Sequence, residues 1–178
     1  MLRKEKLKMK EFLWVTNTAE NKAFYSDSSK DGIYLHFDKD VDDVLKRDIN
    51  AFIKYLRREF YFPIKCNIYI KSSPFFPSSK KGKTCNGIFF KNDEYKNIYP
   101  QIFVATGDVN NKYNVFFVLC HELTHYFQWY FMLEKDHGDK GLEIQATKYA
   151  NDIVSDYYYA TEDRALISES PSLPIKQK

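Results

Sequence analysis

Tyr113-Asn114-Val115-Phe116-Phe117-Val118-Leu119-Cys120-His121-Glu122-Leu123-Thr124-His125-Tyr126-Phe127-Gln128-Trp129-Tyr130-Phe131 is the stretch that decides how this chain folds. No proline or glycine lies between Tyr113 and Glu134, and the run is too long for one strand. Its unbroken apolar character reads as a buried helix. On a helix, His121 and His125 stack one turn apart on the same face, so both imidazoles can aim a nitrogen at one metal ion. Glu122 sits about 100° round the helix from His121, where it can reach a metal-bound water without being a ligand. Three ionisable groups in an apolar helix are costly to bury unless they are paired or bound to a metal. The alternative is a pair of hydrogen-bonded core histidines beside a surface glutamate.

The rest of the composition sets the frame. The chain has 178 residues, enough for one domain with a real core, and is 44% hydrophobic and 17% aromatic, which argues against disorder. A net charge of +3 is not a nucleic-acid footprint. Arg3, Lys4, Lys6, Lys8 and Lys10 against Glu5 place +4 in residues 1–10 and leave the remainder at −1. That basic arm reads as a solvated terminus. Phe12-Leu13-Trp14-Val15 is too short for the apolar part of a signal peptide, and no apolar run spans a membrane without His, Glu or Gln inside it. Cys66, Cys85 and Cys120 are odd in number and lack CxxC spacing, which suits free thiols in a reducing cytoplasm.

Along the chain, 16–30 reads as loop and 33–37 as a strand, with His36 a surface histidine. Asp40 or Asp42 can cap a helix to Glu59, in which Val41, Val44, Leu45, Ile49, Phe52, Ile53 and Leu56 form an apolar stripe. Further strands are expected at 66–71, 87–90 and 101–106, with an exposed loop over 72–83 and turns at 92–96 and 107–111. Asn110, Asn111 or Asn114 can cap the helix that carries the two histidines. A last helix is expected from Gly141 to Tyr159. Residues 168–178 read as a disordered tail after a single domain over 1–167. The order is that of an α+β fold: a small twisted mixed sheet, a buried HExxH helix and a following helix.

Two histidines bind a catalytic metal weakly, and such sites usually take three protein ligands with water in the fourth position. Glu143 and His137 are the candidates for the third. Glu143 follows His125 by 18 residues, across the turn His137-Gly138-Asp139-Lys140-Gly141. It shares a helical face with Ala146, Thr147 and Ala150, small residues that allow close approach to the metal helix. As an alternative it is a first-turn glutamate favoured by the helix dipole. His137 lies 12 residues after His125 and would complete a three-histidine site, or else line the cleft.

HELTH followed by Glu143-Ile144-Gln145-Ala146-Thr147-Lys148-Tyr149-Ala150 resembles the minimal gluzincin-type zincins, notably the ImmA/IrrE-like metallopeptidases. The likeness covers residues 85–158. HExxH is specific to zincins, and the rest of the pattern is weak. It implies a zincin-like fold, a Zn²⁺ cofactor held by His121, His125 and Glu143, and a peptide or protein substrate. Such families often place Asp or Asn four residues after the Glu ligand to hold the first histidine. This chain has Thr147 there, a weaker acceptor for the imidazole N–H. A second resemblance is to SprT-like zincins, in which a His-Gly follows HExxH as His137-Gly138 does here. Residues 138–150 lack the aromatic segment expected next in that family.

The resemblance further implies peptide hydrolysis with Glu122 as general base. Tyr157, on the Glu143 face fourteen residues on, and His137 are candidates for the second oxyanion donor. Gly87, Ile88, Phe89 and Phe90 would form the cleft edge that pairs with an extended substrate. The competing expectations are a non-catalytic zinc-binding module and an SprT-like protease with His137 as third ligand. No membrane partner is expected and nucleic acid is not favoured.

Overall fold

The computed structural model describes residues 13–25, 31–78, 82–91, 99–107, 112–133 and 139–161. The basic arm, the tail over 168–178, the turn at 92–96 and His137 lie outside the described residues. Four helices and two sheets are described: α1 (Ala19–Tyr25), β1 (Ile33–Phe37), α2 (Asp43–Glu59), β2 (Cys66–Lys71), β3 (Phe76–Pro77), β4 (Thr84–Cys85), β5 (Gly87–Phe90), β6 (Gln101–Ala105), α3 (Lys112–Tyr130) and α4 (Asp139–Ala160). The architecture is α+β.

The main sheet has the order β1-β2-β6-β5. β1, β2 and β6 run parallel, and β5 runs antiparallel on the outside of β6. Alternation sorts the side chains into two faces. Cys66, Ile68 and Ile70 of β2 and Ile102 and Val104 of β6 are buried in the core, together with Ile33 of β1. On the opposite face His36, Tyr69 and Phe103 stack in a row, with ring centroids 4.7 and 4.9 Å apart. His36 is thus an exposed cross-strand residue, its Nε2 3.3 Å from Asn67 Oδ1.

α2 follows its sequence pattern. Asp42 caps it by accepting the Leu45 N–H at 2.9 Å, and Phe60 ends it in extended conformation. Ile49, Phe52, Ile53 and Leu56 are buried, each worth about 1.5–3 kcal/mol of transfer free energy. Val44 departs from the expected stripe and is 54% exposed, because it lies in the first turn before the helix reaches the core.

Three expectations need correction. Residues 16–30 are not all loop, since Ala19–Tyr25 is a helix whose Thr18 hydroxyl accepts the Asn21 N–H. Its buried anchor, Tyr25, meets Tyr130 and Phe131 at the end of α3, a long-range contact that local propensity does not register. The expected loop over 72–83 begins in a short hairpin, β3 pairing with β4 just beyond it. Asn114 does not cap α3, which already starts at Lys112. Asn110 and Asn111 lie outside the described residues.

α3 is apolar all round and is enclosed accordingly. β5 and β6 pack against one side, α4 against another, and residues 13–15 and 60–64 close the back. Trp14 is fully buried, meets Phe60 and Phe62 edge-on and Phe127 at a tilt, and donates its indole N–H to Thr124 Oγ1 at 3.1 Å. Tyr126 donates its hydroxyl to the Ile64 carbonyl at 2.8 Å and accepts the Ile64 N–H at 2.9 Å. These bonds fix the rotation of α3, which its hydrophobicity alone leaves open. α4 runs antiparallel to α3: Gln128 meets Leu142 near one end, and Tyr113 meets Tyr158 near the other.

Candidate metal centre

His121 and His125 are both partly exposed on α3 and line a cleft. Their Nε2 atoms lie 3.2 Å apart. Glu143, in the first turns of α4, brings Oε2 to 3.2 Å from His121 Nε2 and Oε1 to 3.4 Å from His125 Nε2. All three residues can offer a ligand atom within 4.8 Å of the others. Ligands about 2.0–2.2 Å from a tetrahedral ion are themselves about 3.3–3.6 Å apart, so the donor spacing fits such an ion. Of the two candidates for the third ligand, Glu143 is therefore brought to the histidines.

The hydrogen bonds behind the site support the same fit. His125 Nδ1 lies 2.7 Å from Gln128 Oε1, a pure acceptor, so Nδ1 carries a hydrogen. A neutral His125 then turns its Nε2 lone pair toward a carboxylate oxygen at 3.4 Å. Two lone pairs at that distance repel unless a positive centre, proton or metal, lies between them. Burial and the neighbouring His125 hold His121 below the usual histidine range, while Glu143 partly restores it. Metal coordination suits a neutral imidazole.

Glu122 faces another way. It is only 7% exposed and lies under the edge strand β5. A Cβ at Gly87 would stand 2.6 Å from Glu122 Oε1 and 2.6 Å from Val118 Cγ1, so the missing side chain is what lets the strand and helix approach so closely. Burial pushes the Glu122 carboxyl up to about 8, the Glu143 charge adds to the rise, and a backbone bond from Phe89 opposes it. A carboxyl poised in this way is suited to exchange protons near neutral pH.

The three donors and Glu122 open into a cleft of about 830 Å³ lined also by Ser78, Cys85, Gly87, Phe89, Lys91, Asp139 and Leu142. The pairing of β5 with β6 defines the cleft edge. Asn86 carbonyl accepts the Ala105 N–H at 2.8 Å, and Ile88 opposes Phe103. By antiparallel alternation, the backbone groups of Gly87 and Phe89 point away from β6, toward the cleft, while those of Ile88 and Phe90 face β6.

Two expected roles are not met. Tyr157 is not at the site: its ring packs on Phe52, Tyr55 and Phe116, with centroids 4.8, 5.1 and 5.7 Å away. Sharing a face with Glu143 is not enough, because fourteen residues of helix separate them by about 21 Å. Thr147 does not hold His121 either. Among the described residues, the buried His121 Nδ1 has no hydrogen-bond partner. Two residues escaped sequence reading. Gln128 bore a signal, a polar residue three positions after His125 inside an apolar run. Cys85 lines the cleft because it directly precedes the edge strand β5 and pairs with Phe76 of β3. Comparison with protein-family models, with curated proteins and with solved structures gives no match for this chain.

Proposed function

We propose that this protein is a zinc-dependent metallopeptidase of the zincin type. The observation that carries the reading is the convergence of His121 Nε2, His125 Nε2 and the Glu143 carboxylate at 3.2–3.4 Å, with the buried carboxylate of Glu122 on the next helical position. Three protein donors leave a fourth position for water, the mark of a catalytic site, whereas structural zinc is usually closed by four. Among the described residues no fourth donor joins the group. That favours an enzyme over a non-catalytic zinc module, which would have no use for Glu122.

Bound zinc supplies a water of lowered pKa and a polarising charge for a carbonyl oxygen. The chain's own residues do the rest. Glu122 takes a proton from the attacking water and returns it to the leaving amine. Gly87 and the Phe89 carbonyl offer outward backbone groups to an extended peptide, which would lie along β5 as an added strand, while the Phe89 N–H serves Glu122. His137 keeps the proposed part of second oxyanion donor. Three unbridged cysteines, two of them buried, suit a reducing cytoplasm. Among the described residues, no helix is long and apolar enough to cross a membrane.

The test is metal analysis of protein purified without added metal, paired with cleavage of an unstructured protein such as casein. One zinc per chain is expected. Glu143→Ala should lower zinc affinity far more than His137→Ala does. The opposite order would move the third ligand to His137 and the reading to an SprT-like protease. A folded protein without metal affinity would refute the proposal.

A further inference from the structure

We propose that Gln128 is a positioning residue of this centre: it fixes His125 as the tautomer protonated on Nδ1 and ties that ligand to the helix bearing Glu143. Its functional consequence rests on the metal-site reading above; its geometry does not. Gln128 is 1% exposed, and its side chain makes three hydrogen bonds at once. Nε2 donates to the Leu142 carbonyl at 2.9 Å and to Gln145 Oε1 at 2.9 Å. Oε1 lies 2.7 Å from His125 Nδ1.

The amide can point only one way. A backbone carbonyl only accepts, so the end of Gln128 facing Leu142 must be the NH₂ group. Turning it over would set oxygen against oxygen there. Oε1 therefore faces His125, and it too can only accept. Nδ1 must carry the hydrogen, and a neutral imidazole then presents its lone pair from Nε2. That is the atom 3.2 Å from His121 Nε2 and 3.4 Å from Glu143 Oε1.

One side chain thus sets two things. It selects the metal-binding nitrogen of the second histidine. It also spaces α3 from α4, since Leu142 and Gln145 stand on either side of Glu143. Residues that hold a ligating histidine from behind typically account for about 10–100-fold in metal affinity. Among the described residues His121 has no equivalent, because its buried Nδ1 meets no hydrogen-bond partner there. The chain orients one imidazole in advance and leaves the other to the ion.

The experiment uses full-length, metal-free protein labelled with ¹⁵N-histidine, observed at a pH where the imidazoles are neutral. The His125 signals are assigned by their loss in His125→Asn. The parent should show His125 protonated on Nδ1. In Gln128→Leu the two tautomers should mix, and zinc affinity measured by chelator competition should fall about 10–100-fold. Gln128→Glu keeps an acceptor for Nδ1–H but loses both donors to α4. It should retain the tautomer and lose less affinity than Gln128→Leu. A parent protonated on Nε2 of His125 would overturn the proposal without any variant, even if Gln128→Leu failed to fold. So would a Gln128→Leu protein with unchanged tautomer and zinc affinity. A parent that binds no zinc would instead overturn the metal-site reading, and the spectra alone would then decide Gln128's hold on His125.

Discussion

The antiparallel pair α3–α4 has two ends made of the same two helices but of different chemistry. At one end, His121, His125, Gln128, Leu142, Glu143 and Gln145 face each other through polar atoms, and Glu143 is 62% exposed. At the other, Tyr113 stacks on Tyr158 at 6.0 Å, and Phe116 packs on Phe52 at 4.3 Å and on Tyr157 at 5.7 Å. The aromatic end gains its free energy from area removed from water. The polar end gathers two imidazole nitrogens and a carboxylate whose lone pairs converge, an arrangement that a cation would favour. The contrast teaches that the aromatic end supplies burial, while the polar end is tied across by Gln128 and presents its donor atoms to the cleft. A change at one end should therefore move stability, and at the other chemistry, with little crossing over.

The largest effect should come from Glu122→Gln. Loss of a general base typically costs ~10²–10⁴-fold in rate, so cleavage should nearly vanish while zinc stays bound. Stability should change in a pH-dependent way. Burial raises the Glu122 carboxyl to about 8 in the fold, above its ordinary value of 4.5. Between those values the unfolded state has released its proton and the folded state has not, so this group makes metal-free parent protein less stable as pH rises. A glutamine side chain cannot titrate, so metal-free Glu122→Gln should exceed the parent in stability near pH 8. Denaturant melts of both proteins from pH 5 to 8 would check this, and parallel curves would mean that Glu122 is not held protonated by the fold.

Phe116→Ala comes next, and acts from the opposite end. Removing a buried aromatic typically costs about 3–5 kcal/mol, read as a shift in denaturant midpoint. Zinc stoichiometry of the folded fraction should be unchanged. A large loss of zinc affinity in protein that remains folded would show the two ends to be coupled rather than separable.

Gly87→Ala probes the seam between β5 and α3. The new methyl would meet Glu122 Oε1 and Val118 Cγ1, each at 2.6 Å, so either the strand or the glutamate must move. A cost of ~1–3 kcal/mol is expected from such overpacking, together with slower cleavage because the displaced carboxylate is the proposed base. Parent-like melting and cleavage would mean that the edge strand gives way freely. The smallest effect is expected from Tyr157→Phe. Losing one hydroxyl should shift stability by no more than ~1.5 kcal/mol and leave cleavage unchanged. A strong loss of cleavage would return Tyr157 to the site and break the separation of the two ends.

How much of this can be read from residues alone varies with the range of the force involved. α2 is legible because its apolar stripe recurs at helical spacing, and Asp42 stands where a cap belongs. The strands at 33–37, 66–71 and 87–90 are legible from β-branched and aromatic content. The helix at Ala19–Tyr25 is not, because Tyr25 is held by Tyr130 and Phe131, more than a hundred residues away. The apolar run at 13–15 is too short to read by itself, yet Leu13, Trp14 and Val15 are all buried.

By itself, then, the sequence determined which residues share a helical turn. His121 and His125 at four-residue spacing must lie on one face, and Glu122 must lie beside them, whatever surrounds the helix. It also confined the candidates for a third ligand to two residues. Tertiary structure alone decided which way α3 turns that face. A helix apolar all round has no preferred side, and Trp14, Tyr126 and the close approach at Gly87 set its rotation. It likewise decided that Gln128 rather than Thr147 meets a histidine, and that Tyr157 stands far from Glu143. Helical periodicity fixes angles about an axis, but distances between axes, and hence which polar groups meet, come only from packing.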